Sequence, residues 1–379
     1  MDIGRGEPPQ QPDAGDIDWL ICPGFIDAHL HLSQIDSIGH DGLALMDWLE
    51  RVIYPAESRW ADATFAGEMA IRAHKRMLRS GTTGYAGYLT SHINAAVALL
   101  KASHEIPLRA IAGQVLMDRN APSELLSHEL AKLAKSERGR AELSVNPRFA
   151  ICCSDEMLDT AKGRAASRDN AFIQTHLAES KKECETVAEL FPNDANYTEV
   201  YDRHGLLTER TLLAHCLQLD DAQWQLIAKR QCVVVHCPTA NAFLNSGVFD
   251  LKAAKSFGVR LALGSDVAAG PEFAMPIVAR SMIETAKMRA DDIDPDAYIP
   301  SPAEAWEMIT RGNANALGWS DSGRIEVGAF ADLLLLKLPF EIDEHLIEQL
   351  IYTWDDNYIK NRVLNGKLVV DEDSANTNA

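Results

Sequence analysis

Basic residues are the first shortage. The chain of 379 residues carries 36 Lys and Arg against 55 Asp and Glu, a formal net charge of −19. That balance repels phosphate backbones and anionic lipid headgroups, so neither nucleic acid nor a membrane surface is an expected partner. Cysteine is sparse, seven residues scattered over the length, and an odd number is unlike a disulfide framework. No apolar run approaches the roughly 18 residues that span a bilayer. The opening Met1-Asp2-Ile3-Gly4-Arg5 lacks the basic and then apolar regions of a secretory signal. The expectation is a reduced, cytoplasmic globular protein, in which the sequon Asn196-Tyr197-Thr198 is a chance match. Neither G-x-G-x-x-G nor a P-loop occurs, which removes dinucleotide-dependent dehydrogenases and kinases. The H-x-E and P-C-x-x-C pair of the cytidine-type zinc deaminases is missing too.

What is present is an α/β pattern. Residues 1–20 are rich in Pro, Gly, Gln and Asp and read as a mobile arm; the polar stretch 371–379 reads as a tail. Between them, eight short β-branched runs alternate with helical periodicity: Ile21 to His31, Thr82 to Tyr88, Arg109 to Met117, Leu143 to Ala150, Ala171 to Ala178, Thr211 to Cys216, Cys232 to Pro238 and Arg260 to Asp266. Amphipathic helices over Ala61 to Arg79 and Lys181 to Leu190 separate some of them. Eight strands and their helices over this length predict a (β/α)8 TIM barrel across residues 21–320. Counting alone leaves a doubly wound open sheet as the competitor. Ser301-Pro302-Ala303-Glu304 spells a capping box with proline at the first helical position, and Gly318 suits the end of that helix. Beyond it, Gly323 to Gly328, Ala331 to Leu338 and Arg362 to Val370 read as strands of a small β appendage over residues 321–370.

The polar residues that close the strands carry the chemistry. Barrel sites gather at the C-terminal ends of strands, where distant positions converge. The first run ends His29-Leu30-His31, the fifth ends at His176 with Glu179 three residues on, the sixth at His215 and the eighth at Asp266. Two histidines two apart on a strand share a face and make a natural first pair of ligands for a zinc-like ion. His176 and Asp266 would complete an N/O shell with a position left for water, whose pKa such an ion lowers. Glu179 would then move protons, and His215 would hold the water and steady developing charge. Each residue alone has a blander role. An HxH arises by chance, His176 or His215 can be a bonded core histidine, Asp266 a helix cap, and Glu179 a first-turn charge. Their joint fall at strand ends is what favours a metal-dependent hydrolase.

These residues bring a resemblance with them. Pro23-Gly24-Phe25-Ile26-Asp27-Ala28-His29-Leu30-His31 resembles the first-strand signature of the amidohydrolase superfamily, and from about Pro23 to Val370 the chain resembles its guanine deaminase family. Similar stretches include Leu45 to Glu50, Tyr54-Pro55-Ala56-Glu57, Gly81-Thr82-Thr83, Pro147-Arg148-Phe149, Gln174 to Glu179, Tyr197 to Tyr201, Leu213-Ala214-His215-Cys216 and Gly264-Ser265-Asp266. By matching positions the resemblance implies zinc on His29, His31, His176 and Asp266. It implies Glu179 as proton shuttle, with His215 and Asp266 beside it as catalytic residues. Gln34, Arg148 and Phe149 would hold the purine together with His176, Glu179 and His215. An amide that donates and accepts, an arginine fork and an aromatic face suit a lactam ring. Binuclear relatives use a modified lysine at the end of the fourth strand; this strand carries Pro147-Arg148-Phe149, which implies one zinc ion per chain. A homodimer is implied by resemblance alone.

Departures accompany the likeness. Relatives usually carry several strands before the barrel, whereas the 22 residues before Pro23 do not read as strands, so the expected β-sandwich appendage is N-terminally reduced or the start lies elsewhere. Ser265 and Ala269 stand where the family commonly has Thr and Gly. Cys216 and Cys237 read as small buried residues rather than ligands, and His92 and His236 can equally line the site or pack. The expected reaction is hydrolytic deamination of guanine to xanthine and ammonia. The competitors are the same chemistry on another purine, a pterin or a triazine, and a non-catalytic barrel serving binding or assembly.

Overall fold

The computed structural model describes residues 12–137 and 139–369; the rest of the expected arm and the tail lie outside them. Fourteen strands are assigned among the described residues: β1 (Leu20–Pro23), β2 (Phe25–His31), β3 (Thr82–Tyr88), β4 (Arg109–Gly113), β5 (Val115–Leu116), β6 (Ala141–Leu143), β7 (Asn146–Pro147), β8 (Ile173–Leu177), β9 (Thr211–His215), β10 (Val233–His236), β11 (Arg260–Leu263), β12 (Leu333–Leu336), β13 (Ile359–Leu364) and β14 (Lys367–Val369). Every residue of β2, β3, β9 and β10 is buried, as expected of parallel strands covered on both faces.

Two four-stranded parallel sheets, β2-β3-β4-β6 and β8-β9-β10-β11, follow the order of the eight expected runs, but the third run breaks into β4 and β5, and the fourth touches β6 only at Leu143 and otherwise supplies β7, which pairs parallel with β5. Their edges meet twice. At one seam Val145 N–H donates to the Phe172 carbonyl (2.9 Å) and Gln174 N–H to the Val145 carbonyl (3.0 Å). At the other, Asp266 N–H donates to the His29 carbonyl (2.8 Å) and His31 N–H to the Val267 carbonyl (2.7 Å). An open doubly wound sheet would leave such edges unpaired. The second seam depends on Gly264. A Cβ placed there would lie 2.6 Å from the His29 Cβ and 2.9 Å from its backbone nitrogen. Gly264→Ala is therefore expected to cost about 2 kcal/mol of stability, an overpacking penalty relieved only by moving β2. Thermal unfolding of the variant measures it.

Helices form where their ends are satisfied. Asp62 caps Ala63–Arg79 through the N–H groups of Thr64 and Phe65, Ser180 and Glu183 form a capping box on Lys181–Leu190, and Ser301 and Glu304 form the one read from the sequence. The last of these continues through a π turn at Met308–Gly312 to Ala316. Gly318, at φ +69°, closes it with the Trp319 N–H reaching back to the Ala314 carbonyl.

Three further strand readings need correction. The first run is not one strand. It breaks after Pro23, and β1 pairs antiparallel with β12, Leu20 opposite Leu336, while β2 begins the parallel sheet. A strand therefore does precede the barrel residues, and the β1-β12-β13-β14 sheet takes an N-terminal strand that composition alone assigned to the arm and barrel. Residues 323–328 form turns, not a strand. The last run is a hairpin: Asn365 (φ +50°) and Gly366 (φ +75°) turn β13 into β14, the Asn-Gly two-residue loop of a tight antiparallel pair. The appendage among the described residues is one four-stranded antiparallel sheet. All seven cysteines are free, and no described helix is long and apolar enough to cross a membrane.

Candidate active site

The C-terminal ends of β2, β8, β9 and β11 bring their polar residues to one place. His29 and His31 stand two apart at the end of β2, and their imidazole centroids lie 5.0 and 5.3 Å from that of His176. The ligand atoms of these three histidines lie within 4.8 Å of one another. Asp266 Oδ1 sits 3.2 Å from His29 Nε2 and 3.4 Å from His31 Nε2. His176 Nδ1 donates to the Arg148 carbonyl (2.6 Å), which leaves its Nε2 as a bare lone pair, and that atom faces His31 Nε2 at 3.2 Å. His29 Nε2 is buried without a well-formed hydrogen bond. Three imidazoles whose ligand atoms converge beside a buried carboxylate fit a cation.

The electrostatics agree with that geometry. Burial drives the His29 imidazole down to about 4 and His176 well below the usual histidine range, so both are neutral donors at pH 7. Burial alone would raise Asp266, but hydrogen bonds from His29 and His31 outweigh it and hold the carboxyl well below the carboxylate range. Asp27, beneath the site, accepts from Ser265 N–H (3.0 Å) and His29 N–H (3.1 Å), tying β2 to β11 at the ligands themselves.

Glu179 and His215 form a second pair. His215 Nε2 lies 3.6 Å from Glu179 Oε2 and 3.8 Å from Asp266 Oδ2, and its Nδ1 is held by Asn241 Oδ1 at 2.9 Å. Ser246 Oγ donates to Glu179 Oε1 (3.0 Å). Burial lifts the Glu179 carboxyl to about 7 against the pull of His215. Burial opposes the charge on His215, yet Glu179 and Asp266 raise it above the usual imidazole value. A carboxyl raised to about 7 facing an imidazole raised above its usual value is a pair suited to general acid–base work. His215 (φ +72°) and Asp266 (φ +50°) adopt the left-handed backbone region, which costs each about 1 kcal/mol and swings both side chains out of strand alternation into the site.

A pocket of about 400 Å³, mouth included, stands over this cluster. His31, Gln34, Arg148, Phe149, His176, Glu179, His215 and Asp266 all line it, with His29 beneath. Every site residue expected from the sequence is thus brought together. Ala269 lines the mouth too, with Leu45, Trp48, Leu49 and Leu244 as apolar walls. His92 and His236 are not among the lining residues. His236 stacks on Phe249 (centroids 4.5 Å apart) and is a packing residue. Cys237 is buried with its sulfur within 4.8 Å of ligand atoms of His29 and Asp266, closer to the cluster than its sequence suggests. Sequence reasoning missed Asn241, Ser246 and Glu57, which hold His215, Glu179 and the Gln34–Arg148 pair respectively. None repeats with a strand or helix period, so only spatial proximity reveals them.

Convergent imidazoles, a buried aspartate and a facing Glu–His pair under an open-mouthed pocket define a metal-dependent hydrolase. The chain belongs to the amidohydrolase family, whose model matches residues 20–369. Among curated proteins it is similar to the guanine deaminase of Escherichia coli K12, 32% identical over 92% of this chain and 83% of that protein. It is also similar to the human guanine deaminase, 29% identical over 93% of this chain and 83% of that one. Among solved structures, a C. acetobutylicum guanine deaminase with guanine bound in its active site superposes with a TM-score of 0.87. It is 28% identical and covers 93% of this chain and 87% of its own.

Proposed function

We propose that this chain is a (β/α)8-barrel enzyme that deaminates guanine hydrolytically to xanthine and ammonia. The observation that carries it is the placement of Glu179, raised to about 7, in one pocket with the converging His31 and His176 and with Gln34, Arg148 and Phe149 as walls. The paired sheet seams support closure of the eight strands, with the four-stranded sheet as the appendage. His29, His31, His176 and Asp266 would hold a single zinc ion, which lowers the pKa of a water towards about 7. Arg148 offers guanidinium N–H donors to a ring carbonyl or nitrogen, and Phe149 covers the purine plane. Glu179 takes the proton that water gives up and places one on the ring nitrogen beside C2. A C–O bond forms at C2; Glu179 then takes the proton of the new C2 hydroxyl and delivers it to the exocyclic amine, so that the C–N bond breaks, ammonia departs and C2 becomes a carbonyl. His215, oriented by Asn241, steadies the charge on the attacking oxygen.

The test is turnover of guanine by zinc-supplied protein, following xanthine and ammonia. Folded, metal-loaded protein that leaves guanine untouched sinks the assignment and turns attention to other aminated heterocycles. Arg148→Ala is expected to raise KM for guanine about 10-fold to 100-fold, the loss of a charge-assisted hydrogen bond in a buried pocket, with metal content unchanged. A cytoplasmic homodimer completes the reading; light scattering at twice the chain mass checks the assembly.

A further inference from the structure

The pocket's polar wall is held from behind by one carboxylate. Glu57, in the short helix Tyr54–Ser58, is fully buried. Its Oε1 accepts from Gln34 Nε2 (2.8 Å) and its Oε2 from an Arg148 guanidinium nitrogen (2.7 Å). Gln34 and Arg148 are each 2% exposed and arrive from different elements, a turn after β2 and the segment after β7. Gln34, Glu57 and Arg148 are thus clamped in one chain of bonds.

That bridge has a chemical consequence. A carboxylate only accepts hydrogen bonds, so the Gln34 amide must turn its NH2 to Glu57 and leave its carbonyl oxygen as the group the pocket reads. The same contact spends one Arg148 nitrogen and sets the plane of the remaining donors. We propose that Glu57 is a specificity-determining positioning residue: it fixes Gln34 as an acceptor and Arg148 as a donor, so that the pocket selects a heterocycle with an N–H facing Gln34 and a carbonyl or bare ring nitrogen facing Arg148. A lactam-amidine edge has that donor–acceptor order; an aminopurine without the lactam does not. The inference rests on the guanine reading above and names what enforces it.

Glu57→Gln tests it. The new amide can still accept from Arg148, but its NH2 now faces Gln34, which must flip and present donors to the pocket. The expected result is a rise in KM for guanine of about 10-fold to 100-fold, the range for one buried mispaired polar group, with kcat within about threefold and zinc content unchanged. The swap Gln34→Glu with Glu57→Gln restores an acceptor towards the pocket and is expected to recover most of the lost KM. A residue that merely supports the fold would lower the melting temperature in both variants and show no recovery in the swap. An unchanged KM in Glu57→Gln, or a folded, metal-loaded swap that still binds guanine weakly, overturns the proposal. The wild type gives a reading that needs no variant. In its crystal structure with guanine, Gln34 should lie within hydrogen-bond reach of a ligand N–H, and an acceptor atom there would equally overturn it. Failure of the wild type to turn over guanine strikes the function itself; wild-type turnover with an indifferent Glu57→Gln strikes only this inference.

Discussion

Glu179→Gln should reduce guanine turnover by about a thousandfold while leaving zinc content and KM nearly unchanged, because general acid–base transfer contributes 10²–10⁴ and no neighbouring group replaces it. His215 is engaged by Asn241, and Asp266 is committed to His29 and His31. The same variant also reports the cost of burying the carboxyl. The folded-state pKa of Glu179, about 7, lies above the 4.5 of an unperturbed glutamate. The folded protein therefore binds more protons than the unfolded chain between those values. The stability this lends is complete below about pH 4.5 and is lost as pH rises through 7. At 1.36 kcal/mol per pKa unit the span is about 3 kcal/mol. In metal-free protein, Glu179→Gln should thus gain stability relative to wild type on going from pH 5 to pH 8. A difference in melting temperature that stays flat across that range would place the carboxyl in water rather than in the interior.

Metal removal should have the second large effect. Protein stripped by a chelator is expected to lose deaminase activity altogether and to melt several degrees lower, and added zinc should restore both. A ligand present at a thousand times its Kd contributes about 4 kcal/mol to the folded state. Stripping also leaves His31 Nε2 and His176 Nε2 3.2 Å apart beside the Asp266 carboxylate, a buried polar cluster without the cation its geometry suits. His176→Ala should lower bound zinc to well under one per chain by elemental analysis. A wild-type content near two ions per chain would contradict the single-metal reading, which rests on the arginine at position 148 where a bridging lysine would stand.

The chain's linear order determined much of this. Eight β-branched runs and their helical intervals specify the parallel strands, because periodicity reports which faces are buried. Histidines two apart at the end of β2 share a face for the same reason, and Ser301 with Glu304 marks a helix start through bonds made within one turn. These are local rules, and they locate the parallel strands, though not the breaks within the first, third and fourth runs. Where the chain changes sheet is not local. Pro23-Gly24 looks like the interior of one apolar run, yet β1 pairs with Leu333–Leu336, more than 300 residues away, because that partner covers its backbone groups. The roles of Glu57, Asn241 and Ser246 are equally invisible in one dimension. A lone polar residue in a helix or loop reads as surface until the fold shows it buried against a site residue. The poise of Glu179 near 7 belongs wholly to tertiary structure. Desolvation and a facing imidazole produce it, and both exist only once β8, β9 and β11 have brought their ends together.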